Sequence, residues 1–220
     1  MNSFKRIRHS IPTAPFLREI AAIEGVWAQA TGREDTRSPY RAPLAIPLRS
    51  PRTSNIFCAG RQDGQESRWT AQAAPFSLTR TFIADVAADL DADLGCARIV
   101  YLPALWRVGT HVDYGAHDRL RRCYHLILKS GAGSSMTSGD AEVCMREGEL
   151  WSIDTFSVVD APAGGHEARG PREARVHDQA HDQARDQARV HLVFDLRPAE
   201  RRDAAAAATA RTRCAGLRAG

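Results

Sequence analysis

The sequence predicts a mainly β protein, an antiparallel sandwich or barrel preceded by a helical and loop region. After Gly95 the apolar residues fall into short runs separated by turn residues, Gly131-Ala-Gly133, Ser138-Gly-Asp140 and Glu147-Gly148 among them, a texture that marks antiparallel sheets. No long helical pattern interrupts the stretch from Gly95 to Asp195, which argues against a parallel sheet with crossover helices. Neither G-x-G-x-x-G nor a phosphate-loop pattern is present.

The elements follow in order. In residues 14–31, Phe16, Ile20, Ile23 and Val26 with Trp27 step by three and four, predicting an amphipathic helix that ends at Gly32. From Glu34 to Trp69 the chain is rich in Pro, Arg, Ser and Gly. Its apolar islands, Leu44-Ala-Ile46 and Asn55-Ile-Phe57, predict loops with one or two edge strands. Phe76, Leu78, Phe82, Ile83, Val86, Leu90 and Leu94 predict a helix over 76–95, with Gly95 as its stop. Strands are then expected at Ala97–Leu102, Tyr124–Leu128, Ala141–Met145, Leu150–Ile153 and Val190–Leu196.

Residues 175–191 form a tandem expansion in which Arg175-Val-His177 returns as Arg189-Val-His191, with His-Asp-Gln-Ala and Arg-Asp-Gln-Ala units between. Deleting one copy restores a continuous apolar strand, so the repeat reads as an inserted surface loop. Its functional alternative is a metal patch at His177 and His181, which share a face if helical. The alanine- and arginine-rich end reads as a frayed tail. The expected organisation is a helical and loop region at 1–95, a β core at 96–198 with the 175–189 repeat inserted, and a tail at 199–220.

The chain has 220 residues, 43% hydrophobic and 25% charged. That suits one domain with its own core and excludes collagen-like, wholly disordered and coiled-coil readings. No apolar run is long enough to cross a bilayer, and residues 1–15 carry charges where a signal peptide would be apolar. A soluble, cytoplasmic protein is expected. The five cysteines, Cys58, Cys96, Cys123, Cys144 and Cys214, never pair as C-x-x-C, so buried thiols are expected rather than a disulfide framework or zinc knuckle. The net charge of +4 is scattered among acids and comes with no nucleic-acid-binding signature.

Chemistry enters at Gly109-Thr-His111-Val-Asp113. In a strand, residues i and i+2 project from one face, so His111 and Asp113 can offer an imidazole and a carboxylate to one point. A distant histidine would complete two histidines and one carboxylate, the open-sided set used by non-haem Fe(II) oxygenases. Alone, H-x-D reads equally as a polar strand edge. Here it is followed by two segments in which a histidine leads an apolar strand, Tyr124-His125-Leu-Ile-Leu128 and Arg189-Val-His191-Leu-Val-Phe-Asp195, with Gly148-Glu149-Leu-Trp151 between them.

From about Ala97 to Pro198 this order of motifs resembles the aspartyl/asparaginyl β-hydroxylase-like branch of the Fe(II)/2-oxoglutarate dioxygenases, which includes bacterial proline cis-hydroxylases. The resemblance implies a double-stranded β-helix (jelly roll, cupin-like). It implies that His111 and Asp113 are iron ligands, that Arg189 pairs with the distal carboxylate of 2-oxoglutarate, and that His125 stands at the cosubstrate's other end. Arginine suits that place because its planar fork can grip a carboxylate through two parallel hydrogen bonds.

Two departures from the family pattern matter. The second metal histidine of the family falls here near Val159 or Asp160 when counted from the Gly-Glu segment. Counted backwards from Arg175, which takes the arginine position once the repeat is removed, His166 fits better. His166 is the expected third ligand, with Asp160 as the alternative. The family also shows Arg-x-His where this chain has Cys123-Tyr124-His125, so one cosubstrate contact is either absent or supplied by Arg121 or Arg122 through a bulge.

Trp151, Phe156 and Phe194 read as core aromatics, Trp106 as a possible pocket wall, and Glu149 and Asp154 as structural acceptors. No nucleophile-elbow or Cys-His pattern supports acyl transfer. The resemblance thus implies an enzyme using Fe(II) and 2-oxoglutarate to hydroxylate an aliphatic carbon of a small-molecule amino acid, or of an amino-acid residue in a peptide, with no nucleic-acid or membrane partner. The alternatives are a non-catalytic jelly-roll binding module whose metal site has decayed, and a cupin-like hydrolase or isomerase using another metal. Oligomeric state is not readable.

Overall fold

The computed structural model describes residues 4–27, 44–51, 67–102, 108–111, 121–130, 134–138, 141–153, 176–180 and 188–199. Its strands are β1 (Phe4–Arg8), β2 (Leu44–Pro51), β3 (Ser67–Trp69), β4 (Ala92–Leu102), β5 (Val108–His111), β6 (Arg122–Lys129), β7 (Ser134–Ser138), β8 (Ala141–Cys144), β9 (Leu150–Ile153), β10 (Val176–Ala180) and β11 (Arg189–Pro198). The helices are α1 (Ala14–Ala21) and α2 (Ser77–Asp89).

The strands form two antiparallel sheets, a larger one in the order β1-β9-β6-β11-β4-β2-β3 and a smaller one in the order β5-β10-β7-β8. From β4 to β11 the chain passes back and forth between them, with β7 and β8 forming a hairpin within the smaller one, so the central strands 9-6-11-4 and 5-10-7-8 make the two halves of a jelly roll. The fold class expected from the sequence is the one observed. No helix among the described residues is long and apolar enough to cross a membrane.

Each face of the large sheet has its own core. On one side Leu126, Leu128, Leu150, Ile99, Leu192 and Phe194 are buried against Phe16 and Ile20 of α1 and Ile83 and Val86 of α2. Phe194 stacks on Tyr124 with ring centroids 5.5 Å apart, and Phe16 meets Phe82 edge-on at 5.2 Å. On the other side Phe4, Ile127 and Ile153 of the large sheet close on Met136 of β7 and on Met145. This second core lies between the sheets.

Two helix boundaries differ from the expectation. α1 stops at Ala21 because the next bonds are tighter three-residue turns, Ile23 N–H to the Ile20 carbonyl and Val26 N–H to that of Ile23, and Gly25 takes a positive φ of 62°. α2 ends at Asp89, and Asp91 (φ 44°) turns the chain directly into β4. Gly95 is therefore a strand residue, not a helix stop. β4 bulges there, since Phe194 pairs with Ala97 but Leu196 pairs with Leu94. A Cβ on Gly95 would lie 2.9 Å from both the Cβ and the carbonyl oxygen of Asp195, so only glycine fits. α2 is capped from outside itself, as the Glu19 carboxylate accepts from the backbone N–H groups of Leu78 (2.6 Å) and Thr79 (3.0 Å) and from the Thr79 hydroxyl (2.7 Å).

The repeat is corrected as well. Its first part is β10, in the interior of the small sheet between β5 and β7, so residues 176–180 are neither a surface loop nor the helical turn that would align His177 with His181. The strands at 4–8 and 134–138 were not expected. Asn55-Ile-Phe57, Trp106, Asp154, Phe156 and Asp160 lie outside the described residues, as does the tail from Glu200.

Glu149 has the structural role expected of it. It is 7% exposed, and its carboxylate accepts from Arg6 Nη1 (2.9 Å), the Arg146 N–H (3.0 Å) and Trp151 Nε1 (2.9 Å). Burial pushes its pKa up, but these three donors outweigh it and hold the carboxyl below the ordinary range. A carboxyl depressed in the folded state contributes stability that is complete above its unfolded pKa and is lost as pH falls through the folded one. In melting curves recorded from pH 7 to pH 2, Glu149→Gln is expected to lower the melting temperature at neutral pH, and the gap to the parent to close at the acid end. A gap constant with pH would contradict this role.

Candidate active site

Side chains alternate along β11. Val190, Leu192, Phe194 and Leu196 enter the helix-covered core, which turns Arg189, His191 and Val193 toward the interior of the jelly roll. β6 alternates likewise, with Leu126 and Leu128 toward the helices and Ile127 in the core between the sheets, so His125 shares the inner face with Ile127. Val193 pairs with His125 and His191 with Ile127. The two imidazoles meet diagonally across the strands, edge to face, with centroids 5.9 Å apart and planes at 72°. On the other flank of β11, Arg189 pairs with Leu102 and His191 with Val100 of β4. Arg189, His191 and His125 thus form one row on the inner face of the central strands, with apolar neighbours on both flanks.

Arg189 and His191 are deeply buried, at 2% and 5% exposed, and His125 is partly buried. Burial, reinforced by the Arg189 charge, pushes the His191 pKa down to about 3, so its imidazole is neutral at physiological pH. Its Nε2 is buried and has no hydrogen-bond partner among the described residues. A guanidinium beside a neutral imidazole in an apolar interior is a setting for an anion, and Arg189 can offer two parallel donors to a carboxylate.

His111 is the last residue of β5, and its backbone pairs with Val176 at the start of β10. It stands on the small sheet, whereas Arg189 and His125 stand on the large one. Asp113 and His166 lie outside the described residues. Among the described residues no three of His, Cys, Asp or Glu gather closely enough to hold a metal ion. His191 went unassigned. Its signal was the two-residue spacing from Arg189, which in a strand means a shared face.

No protein-family model matches the sequence, and no curated protein matches it. Solved structures do match in shape. An oxidoreductase of the 2OG-Fe(II) oxygenase family from Burkholderia pseudomallei superimposes with a TM-score of 0.50 at 12% identity, over 89% of this chain and 84% of that one. The chain shares that oxygenase's jelly-roll fold. A prolyl-4-hydroxylase from Pseudomonas putida has a TM-score of 0.47 at 11% identity, over 90% of this chain and 94% of that one. The collagen prolyl hydroxylase of Paramecium Bursaria Chlorella virus-1, solved with 2OG, has a TM-score of 0.46 at 10% identity, over 90% and 97%.

The described residues suit one of the groups expected from the sequence, a carboxylate. The buried row offers a guanidinium and an open imidazole nitrogen to a carboxylate. The expected donors His111, Asp113 and a further histidine are the two-imidazole, one-carboxylate set suited to ferrous iron.

Proposed function

We propose that the protein is a 2-oxoglutarate-dependent Fe(II) dioxygenase that hydroxylates an aliphatic carbon of a free amino acid or of an amino-acid residue in a peptide. The observation that carries this reading is the burial of Arg189 on the inner face of the central strand of a jelly roll, in one row with His191 and His125. The planar fork of that guanidinium can hold a diacid's far carboxylate by two parallel hydrogen bonds. The substrate class follows from the resemblance in motif order.

The roles divide between the sheets. Arg189 grips the distal carboxylate of 2-oxoglutarate, and His125 stands toward the opposite end of the cosubstrate. His111, Asp113 and His166 would hold the iron, which when bound supplies the redox chemistry of the reaction. Val100, Leu102, Ile127 and Val193 flank the row and keep water from the carboxylate, which strengthens its pairing with Arg189.

The deciding assay is oxygen-dependent succinate release from 2-oxoglutarate across a panel of amino acids and short peptides, beside iron-free protein. Succinate is expected only with iron, oxygen and an accepted substrate. Under anaerobic conditions Fe(II) with 2-oxoglutarate should give a weak visible charge-transfer band that His111→Ala removes. His166→Ala and Asp160→Ala separate His166 from its alternative, Asp160, since only the true ligand's loss abolishes stoichiometric metal uptake. A protein that takes up metal and releases no succinate with any acceptor would instead be a binding module on the same scaffold.

A further inference from the structure

We infer that His191 is a second anchor for the carboxylate held at Arg189, donating one neutral hydrogen bond through Nε2. The inference rests on the reading of Arg189 as the diacid site and adds a second residue to it. His191 lies two residues along β11 from Arg189, so the two side chains leave the same face of the strand. It is buried to within 5% of full coverage, and its Nε2 has no partner among the described residues. A buried nitrogen without a partner is costly, and a ligand oxygen at this point removes that cost. The neighbours fix the form of the interaction. The ring edge of His125 packs against His191 at 5.9 Å, Ile127 and Val100 are its strand partners, and Arg189 is the charged group acting on it.

Beside that guanidinium and out of water, the imidazole stays uncharged. It therefore brings a donor and no second positive charge. The carboxylate is matched by one cation, Arg189, and oriented by two residues. Such a site selects for a carboxylate whose two oxygens meet the fork while one of them also accepts from the imidazole N–H, and it discriminates against a neutral amide or alcohol of the same size.

The test exploits the geometry of amide side chains. Glutamine places its NH₂ near the position of a histidine Nε2, whereas asparagine reaches only as far as Nδ1. Binding of 2-oxoglutarate and, separately, glutarate to the full-length protein is followed by NMR titration. His191→Gln is expected to bind within about threefold of the parent, and His191→Asn to bind about tenfold or more weakly, the scale of one hydrogen bond to a charged acceptor. Equal loss in both variants, or loss in neither, would overturn the inference. Should either variant unfold, the parent protein decides. Adding glutarate should shift the imidazole ¹⁵N signals of His191 in the pattern of a neutral Nε2–H tautomer, and an unmoved His191 signal counts against the anchor. The underlying reading fails differently, because there Arg189→Met would bind glutarate as well as the parent does.

Discussion

Arg189→Met is expected to weaken 2-oxoglutarate binding by about 10²- to 10⁴-fold. The guanidinium can make two parallel charge-assisted hydrogen bonds to one carboxylate, each worth about 1.5–3 kcal/mol. Methionine fills similar length in the apolar interior, so the variant removes the charge and both donors without opening a large void. Exchanging a buried charge for an apolar side chain of similar volume is often tolerated. Arg189→Lys should fall between, because an ammonium restores the charge but not the fork. Isothermal titration with 2-oxoglutarate and the KM for 2-oxoglutarate in succinate release should report the same order, parent, then Lys, then Met. A Met variant that binds 2-oxoglutarate like the parent would remove Arg189 from the site. If binding fell while melting temperature held, the loss would belong to recognition rather than to the fold.

Which elements could be read in the sequence depended on how each is stabilised. β4, β6, β9 and β11 are the central strands of the large sheet, each with residues buried in the helix-covered core, and they announce themselves as runs such as Ala97-Arg-Ile-Val-Tyr-Leu102 and His191-Leu-Val-Phe194. β7 does not. Ser134-Ser-Met-Thr-Ser138 has one large apolar residue, Met136, and exists as a strand because β10 and β8 supply its hydrogen-bond partners on either side. β10 was hidden for another reason, since Val176-His-Asp-Gln-Ala180 lies in a tandem repeat whose composition resembles a solvated insert, and only its pairing with β5 and β7 makes it interior.

The helices were legible as patterns but not in extent. The apolar spacing continues to Trp27 past the end of α1, and the turns after Ala21 keep Ile23, Val26 and Trp27 against the core without helical geometry.

The candidate site divides along the same line. Arg189 and His125 carried a recognisable signal because a charged or titratable residue stood at the head of an apolar strand, and both prove to be inner-face residues of the central strands. His191 carried the same signal but reads locally as one more member of its strand. Its distinction is an unmet nitrogen in a buried setting, which depends on neighbours far away in sequence. His111 meets the start of β10, at Val176, only through the β5–β10 pairing, a non-local contact for which sequence spacing has no register.

Gly148→Ala should destabilise the fold by about 3 kcal/mol, a drop of about 6–12 °C in melting temperature for a chain of this size. Gly148 has a φ of +76°, a region that costs a residue with a Cβ roughly 1–2 kcal/mol. An added Cβ would also lie 2.6 Å from the carbonyl oxygen of Ile11, closer than such atoms pack. That contact exists because Gly148 is a junction. Its N–H donates to the Ile127 carbonyl (2.9 Å), and its own carbonyl accepts from the Ile11 N–H (3.0 Å).

The segment leading from β1 into α1 is thereby tied to β6 beside the inner-face row. Relief of the clash by moving Ile11 would stretch the Ile11–Gly148 bond, and relief by moving Gly148 would stretch the bond to Ile127. Gly148→Asn separates the two costs, because asparagine accepts a positive φ more readily but carries the same Cβ. If asparagine recovers most of the stability, backbone conformation dominates. Equal losses in both variants would place the cost in the contact with Ile11. A melting temperature unchanged in Gly148→Ala would mean that the junction yields without cost, and the N-terminal strand would then owe its position to its pairing with β9 alone.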